Sequence, residues 1–158
     1  MAVAYIGIGS NLGNRELNCF QSIELMKAGS VVVEACSSLY ETKAWGVADQ
    51  PYFINMAVKL VTSYEPLALL QRLQQIEKTM GREKTFRWGP RVIDLDILFY
   101  DNLTVVTPEL VIPHPGAHER LFVLKPVIDI APCFIHPLLN KTIQQLYKEA
   151  LRHEPDSL

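Results

Sequence analysis

Residues 81–101 read GREKTFRWGPRVIDLDILFYD, and the chemistry of this stretch changes at its midpoint. The first half is basic and includes Arg82, Lys84, Arg87 and Arg91 around a Trp-Gly-Pro sequence. The second half alternates as a strand does, because strand side chains change face at every residue. One predicted face carries Ile93, Leu95, Ile97 and Phe99, and the other carries Asp94, Asp96, Leu98 and Tyr100.

The carboxylates of Asp94 and Asp96 are therefore predicted to lie side by side, with Cα atoms about 7 Å apart. Two carboxylates at this spacing repel each other unless a cation lies between them. A small set of oxygen ligands suits Mg²⁺, which keeps some waters and takes its remaining ligands from phosphates. Nearby guanidinium groups match phosphate oxygens. The stretch favours a metal–polyphosphate site, although a solvated strand face after a charged loop would give the same pattern.

Composition predicts one soluble globular domain over residues 1–158. Hydrophobic residues make up 49% of the chain, charged residues 20%, and the net charge is −2, which is ordinary for such a domain. Without a global basic field, we expect no extended nucleic-acid binding. The N-terminus has no basic region before its short apolar run, so we expect no signal peptide, no membrane span and a cytoplasmic location. The three cysteines lack metal-ligand spacing and are predicted to be reduced thiols in the core.

The order of predicted elements indicates the fold. Strands over 3–8, 31–41, 52–62 and the acidic stretch alternate with helices over 15–27 and 66–80, which gives βαββαβ. This is the ferredoxin-like pattern of an α+β protein, in which helices cover one face of a mainly antiparallel sheet. A C-terminal extension ends in a helix over 142–151, which begins with a capping box. The apolar side of the first helix is predicted to carry Leu17, Phe20, Ile23 and Met26.

The uncovered face of this sheet is expected to bind ligands. Phe53 and Asn55 begin one face of the strand over 52–62, opposite the apolar face. Asp94 and Asp96 likewise point away from the apolar face of their strand. If both apolar faces meet the helices, the four side chains share the open face. Phe53 and Asn55 taken alone fit an ordinary half-exposed sheet surface equally well.

The glycine-rich stretch after the first strand is predicted to be structural. Its spacing, Gly-x-Gly-x-x-x-Gly over 7–13, is one residue too long for a dinucleotide fingerprint. It also lacks the Gly-Lys-Ser/Thr of a phosphate loop. We therefore interpret it as a tight turn with a polar helix cap.

The sequence resembles a known family. Arg-Trp-Gly-Pro-Arg at 87–91, followed by Asp-Leu-Asp-Ile-Leu at 94–98, is similar to the signature of the 6-hydroxymethyl-7,8-dihydropterin pyrophosphokinases. The resemblance extends from Ala4 to about Pro132 and is to the monofunctional bacterial type. It implies transfer of the β,γ-diphosphoryl unit of ATP to the hydroxymethyl oxygen of 6-hydroxymethyl-7,8-dihydropterin. The products are the pterin diphosphate and AMP, in folate biosynthesis, and the protein is expected to be a monomer or a weak homodimer.

The same resemblance implies residue roles. Two Mg²⁺ ions are expected on Asp94 and Asp96, and Arg82 and Arg91 join these carboxylates as catalytic residues. The implied ATP-binding residues are Gln74, Glu77, Lys84, Trp88, Arg91, Ile97, His114 and Arg120. The implied pterin-binding residues are Thr42, Trp45, Phe53, Asn55, Trp88 and Phe122. The segment from Arg82 to Arg91 is expected to close over the site as a lid.

Some positions depart from the family pattern. Lys84 stands where many members have Arg, which replaces a bidentate contact by a point charge. Lys43 and Trp45 alter the pocket rim, and Glu109 stands near a position where a basic residue contacts the nucleotide. Two other function classes fit the acid pair: a non-catalytic ferredoxin-like domain that binds a metal or nucleotide, and a two-metal phosphodiesterase. Pterin-dependent AMP formation distinguishes the pyrophosphokinase from both.

Overall fold

The computed structural model describes residues 1–42, 52–82 and 90–153 of the chain. Lys43, Trp45, Lys84 and Trp88 lie outside these ranges, so the predictions made for them stay predictions. The described elements, in chain order, are β1 (Ala2–Ser10), α1 (Arg15–Met26), β2 (Val31–Cys36), β3 (Tyr40–Thr42), β4 (Phe53–Thr62), α2 (Pro66–Thr79), β5 (Asp94–Tyr100), β6 (Val105–Val106), β7 (Val111–Ile112), α3 (Leu121–Ile130) and α4 (Ile143–His153).

The main sheet is antiparallel, with its strands in the order β2-β4-β1-β5. The short strand β3 pairs with β4 beyond the end of β2. The predicted strand over 31–41 is therefore two strands, because the chain leaves the sheet between Cys36 and Tyr40. The α+β class and the ferredoxin-like βαββαβ core are confirmed.

Helices α1 and α2 pack on one face of the sheet, as predicted. One buried cluster contains Ile6 and Ile8 of β1, Met56 and Val58 of β4, and buried residues of both helices. The apolar side predicted for α1 is only half correct. Leu17 and Phe20 are 57% and 49% exposed, whereas Ile23 and Met26 are buried. A spacing of three residues drifts around a helix of 3.6 residues per turn, so the first two side chains rotate out of the core.

Helices α3 and α4 of the C-terminal extension cover part of the other sheet face. Tyr5, Ala57, Leu98 and Phe99 form the platform beneath them, together with buried residues of the two helices, among them Leu121, Leu124, Val127, Ile143 and Leu146. The covered region reaches Gly7, where an added Cβ would lie 3.3 Å from Leu98 Cδ2. The part of this face beyond Gly7, around Gly9, lies outside this buried cluster.

A bulge in β5 changes the predicted alternation. Its pairing with β1 skips from Ile97 to Phe99 between neighbouring residues of β1, so Leu98 is the extra residue. A bulge shifts the residues after it by one position on the pleat. Phe99 therefore joins the platform under α3, and Tyr100 joins the core under α1 and α2. The predicted assignment of β5 side chains to the two sheet faces is correct as far as Leu98 and is wrong for Phe99 and Tyr100.

The boundaries of α2 and α4 follow their predicted signals. Pro66 begins α2, and Gly81, with φ of 84°, ends it. The capping box of α4 is present, since Thr142 N donates to Gln145 Oε1 at 2.8 Å and Gln145 N donates to Thr142 Oγ1 at 3.1 Å. Within the described ranges, every helix is too short or too polar to cross a membrane.

His136 gives the C-terminal extension a pH dependence. Its ring is buried beside Phe99 and His118, and its Nδ1 accepts hydrogen bonds from Leu138 N and Leu139 N. Burial, with a smaller contribution from His118, lowers the pKa of His136 below 6.5. The unfolded chain therefore binds more protons near pH 6, so the free energy of unfolding falls as the pH drops below about 6.5.

We expect His136→Asn to reduce this acid sensitivity, because the amide oxygen can accept the same bonds without titrating. The measurement is the melting temperature of both proteins between pH 7.5 and 5. His153→Asn, at the exposed end of α4, is the control and should follow the wild type. An equal loss of stability on acidification in all three proteins would contradict the assignment.

Candidate active site

The pairing register brings the predicted site residues together on one sheet face. Gly9 of β1 is the partner of Asn55 in β4 and of Asp94 in β5. The next row on the same face pairs Gly7 with Asp96. Because neighbouring strands are about 4.8 Å apart, the amide and the acid pair lie about 10 Å apart, across a glycine with no side chain. The shared face expected for Phe53, Asn55, Asp94 and Asp96 is confirmed.

The two carboxylates of the acid pair differ in their surroundings. Asp94 Oδ1 lies 3.2 Å from Arg82 Nη1, and Asp94 Oδ2 lies 3.2 Å from Arg91 Nη1. Within the described residues, no ion pair reaches Asp96. Burial, followed by the charges of Asp94 and Glu77, raises the pKa of Asp96 to about 7, while the two arginines oppose the shift. Among the described residues, Asp96 is thus the carboxylate of the pair whose negative charge is less well balanced.

The end of α2 places Arg82 at the acid pair. Gly81 N donates to Lys78 O and Arg82 N donates to Glu77 O, both at 3.0 Å, which is the Schellman arrangement of a helix end. The side chain of Arg82 then turns back to Glu77 Oε2, at 2.5 Å. The same Oε2 accepts a bond from Leu95 N at 2.9 Å. Glu77 therefore ties α2 to β5 and orients Arg82.

The turn after β1 holds Arg91. Arg91 N donates to Asn11 Oδ1 at 2.7 Å, and Asn11 N donates to Arg91 O at 3.1 Å. Asn11 is 1% exposed, so these bonds form inside the protein. The cap predicted for this turn is also present, since Asn14 Oδ1 accepts from Leu17 N at 3.1 Å. Sequence reasoning found the cap but missed the contact to Arg91, because the two segments are far apart in the chain.

A loop after β7 brings His114 and Arg120 to the same cleft. His114 N donates to Leu98 O at 3.0 Å, which anchors the loop at the bulge of β5. His114 Nδ1 accepts a bond from Gly116 N at 3.1 Å, so a neutral ring carries its proton on Nε2. Burial, and then the charge of Arg120, lowers the pKa of His114. Gly116 leaves room for Arg120, because an added Cβ would lie 2.6 Å from Arg120 Nε.

These groups line a polar cleft of about 350 Å³. The predicted residues that line it are Gln74, Glu77, Arg82, Arg91, Asp94, Asp96, His114 and Arg120. Ile97 does not line it, because its side chain is 3% exposed in the core beneath α1 and α2. Glu109 is exposed in the turn between β6 and β7, also outside this lining.

Two of the predicted pterin residues, Phe53 and Asn55, lie beside Gly9. Asn55 is buried, and its Nδ2 donates to Thr42 Oγ1 at 2.6 Å. An added Cβ on Gly9 would lie 3.2 Å from Asn55 Oδ1 and 3.4 Å from Phe53 Cδ1, so both side chains lean over this glycine. Phe122, near the start of α3, has the Arg120 guanidinium 5.9 Å from its ring centre.

The donor set fits a metal that is only partly bound by protein. Within residues 1–42, 52–82 and 90–153, no three His, Cys, Asp or Glu side chains are grouped as metal ligands. Two carboxylates on a rigid strand, beside cationic groups suited to phosphate, leave most coordination positions to water and phosphate. That is the usual arrangement for Mg²⁺ bound together with a nucleotide.

Comparison with known proteins assigns the family. The family model of 7,8-dihydro-6-hydroxymethylpterin-pyrophosphokinase (HPPK) matches residues 5–132. The chain belongs to this family. It is 43% identical over 155 residues to the 2-amino-4-hydroxy-6-hydroxymethyldihydropteridine pyrophosphokinase of Bacillus subtilis (strain 168), covering 98% of this chain and 86% of the relative. It is 39% identical over 149 residues to the protein of the same name from Aquifex aeolicus (strain VF5), covering 94% and 92%.

A solved structure agrees on the fold. Wild-type Plasmodium falciparum HPPK-DHPS superimposes with a TM-score of 0.76 at 17% identity, over 99% of this chain. This chain spans 45% of that longer chain. Membership of the HPPK family makes the protein an ATP-dependent pyrophosphoryl transferase of folate biosynthesis. A non-catalytic regulatory domain is not favoured.

Proposed function

We propose that this chain transfers diphosphate from ATP to 6-hydroxymethyl-7,8-dihydropterin in the cleft between Asn55 and the acid pair. The observation that carries the proposal is the row Asn55–Gly9–Asp94. This row supports the proposal because it puts the Asn55 amide and the acid pair on one sheet face, with a glycine between them. A substrate that joins a heterocycle to a short hydroxymethyl arm fits this spacing.

Asp94 and Asp96 are the proposed ligands of two Mg²⁺ ions. When bound, the metal ions would neutralise phosphate charge and polarise the phosphoryl oxygens. The raised pKa of Asp96 supports the proposal, because a nearby cation would stabilise the charged form of this carboxylate, which forms no ion pair with the described residues. Asp94 would exchange part of its arginine contacts for the metal.

Arg82, Arg91, His114 and Arg120 are the proposed phosphate-binding groups. The two arginines that now contact Asp94 would turn their remaining N–H donors to phosphate oxygens and stabilise charge on the departing AMP. His114 would donate from Nε2 without adding a full charge, since its pKa is lowered. Gln74 lines the same cleft and is proposed to contact the nucleotide.

The pterin is proposed to stack between Phe53 and Phe122 while the Asn55 amide forms hydrogen bonds with the edge of the ring. A flat, polar heterocycle needs apolar faces above and below and hydrogen bonds in its plane. The segment from Arg82 to Arg91 is proposed to close over the bound substrates and exclude water, a competing acceptor for the diphosphate. A single domain over 1–158, a cytoplasmic location and a monomeric or weakly dimeric state also remain predictions.

Pterin-dependent AMP formation tests the function. AMP should form from Mg²⁺–ATP only when 6-hydroxymethyl-7,8-dihydropterin is present, together with an equal amount of pterin diphosphate. AMP release at the same rate without the pterin, or hydrolysis of simple phosphodiesters, would indicate a hydrolase. ATP binding with no turnover under any of these conditions would indicate a binding domain.

A further inference from the structure

The edge strand β3 carries one wall of the proposed pterin pocket. It has three residues, and among the parts of the chain that the structure describes it pairs only with β4, where Tyr40 is the partner of Asn55 and Thr42 is the partner of Phe53. Pairing alone rarely fixes so short an edge strand. Its position therefore depends on contacts outside the sheet.

Asp129, near the end of α3, supplies such a contact. Its Oδ2 accepts a hydrogen bond from the Tyr40 hydroxyl at 2.7 Å and a second from Ser38 N at 3.0 Å. Lys125, one turn earlier in α3, has its Nζ 5.9 Å from the centre of the Tyr40 ring. The C-terminal extension thus contacts β3 through side chains, in addition to the pairing of β3 with β4.

The location of Asp129 is unfavourable for α3 itself. A carboxylate in the last turn of a helix meets the negative end of the helix dipole. The last turn of α3 contains no basic residue that would offset it. The benefit of this side chain to the fold therefore lies in its bonds to β3 rather than in the stability of its helix.

We infer that Asp129 is a positioning residue for pterin recognition, acting through Tyr40 and β3 on the Thr42–Asn55 hydrogen bond. The inference rests on the proposed function of the Asn55 pocket. Thr42 Oγ1 accepts from Asn55 Nδ2 at 2.6 Å, which leaves Asn55 Oδ1 on the side of Gly9. The amide is thereby committed to accept hydrogen bonds from the N–H groups along a pterin edge. A displaced β3 would release the amide to rotate and lose this preference.

Two substitutions test the link. Asp129→Ala removes the acceptor, and Tyr40→Phe removes the hydroxyl but keeps the ring. Each should raise the Kd and KM for the pterin about fivefold to twentyfold, the loss expected for a charge-assisted hydrogen bond that orders a pocket. The KM for ATP and kcat should stay within about twofold. The melting temperature of Asp129→Ala should change little, because an unfavourable charge at the end of α3 is removed together with the bonds.

A control and a double variant separate positioning from general stability. Glu149→Gln breaks the exposed ion pair of Glu149 with Lys141 in the same extension and should leave all constants unchanged. The double variant of Asp129 and Tyr40 should lose no more pterin affinity than Asp129→Ala alone, since Asp129→Ala already removes the hydrogen bond that Tyr40→Phe removes.

Several outcomes would overturn the inference. These are unchanged pterin affinity in both single variants, equal losses of pterin and ATP affinity, fully additive losses in the double variant, or an equal loss in Glu149→Gln. If instead the wild-type protein formed no AMP with the pterin, the proposed function itself would fail. The two failures are thus distinguishable.

Discussion

Replacing Asp96 by Asn should lower the turnover of diphosphate transfer by about a thousandfold or more, while the protein stays folded. The substitution keeps size and hydrogen bonding but removes the charge that a metal ion requires. Metal stabilisation of charged transition states contributes several kcal/mol, and each 1.36 kcal/mol corresponds to about tenfold in rate. Asp94→Asn should have an effect of the same order, with an added disturbance of Arg82 and Arg91, which contact Asp94.

Steady-state AMP formation over a range of Mg²⁺ concentrations measures this effect. Glu149→Gln provides the control, because it removes an exposed carboxylate far from the acid pair in the chain. Melting curves without metal should show that Asp96→Asn is at least as stable as the wild type, since it removes a carboxylate that repels Asp94. Near-normal turnover of Asp96→Asn at saturating Mg²⁺ would refute the metal assignment.

The sequence predicted the part of the site that depends on local pattern. Alternation along β4 and β5 placed Asn55, Asp94 and Asp96 on one face, and the register through Gly9 confirms it. The prediction failed beyond Leu98, because a bulge depends on the pairing with β1 rather than on the sequence of β5 alone. The sequence analysis did not predict helix α3, which covers part of the ligand-binding face of the sheet. Pro126 lies inside this helix, and a proline removes a helical hydrogen bond and usually indicates a helix break.

The residues that hold the site in place were not predictable from their own segments. Asn11 reaches the backbone of Arg91, and Asp129 reaches Tyr40, across 80 and 89 positions of the chain. Each looks locally like an ordinary turn or surface residue. Only the fold brings the partners together, so a sequence motif can name the groups that contact substrate more readily than those that position them.

Replacing Asn55 by Leu should weaken pterin binding about tenfold to over a hundredfold and leave ATP binding almost unchanged. Leu has a similar size but offers no donor or acceptor to the ring edge. The polar atoms of the bound pterin would be buried without partners, which costs about 1–3 kcal/mol. Asn55 is 8% exposed, so water cannot easily replace the lost bonds. Sites built around such bonds discriminate strongly against a missing partner.

Separate calorimetric titrations of the pterin and of a Mg²⁺–ATP analogue measure the two affinities. Thr42→Val is a second, milder variant of the same pocket. It keeps the shape of Thr42 but removes the oxygen that accepts a hydrogen bond from Asn55 Nδ2. Its loss of pterin affinity should be smaller than that of Asn55→Leu and in the same direction. Asn102→Leu, in the exposed turn after β5, should bind both ligands as the wild type does. If Asn55→Leu weakened the binding of ATP alone as much as that of the pterin, the pocket beside Gly9 would belong to the nucleotide, and the arrangement of the two substrates proposed above would have to be reversed.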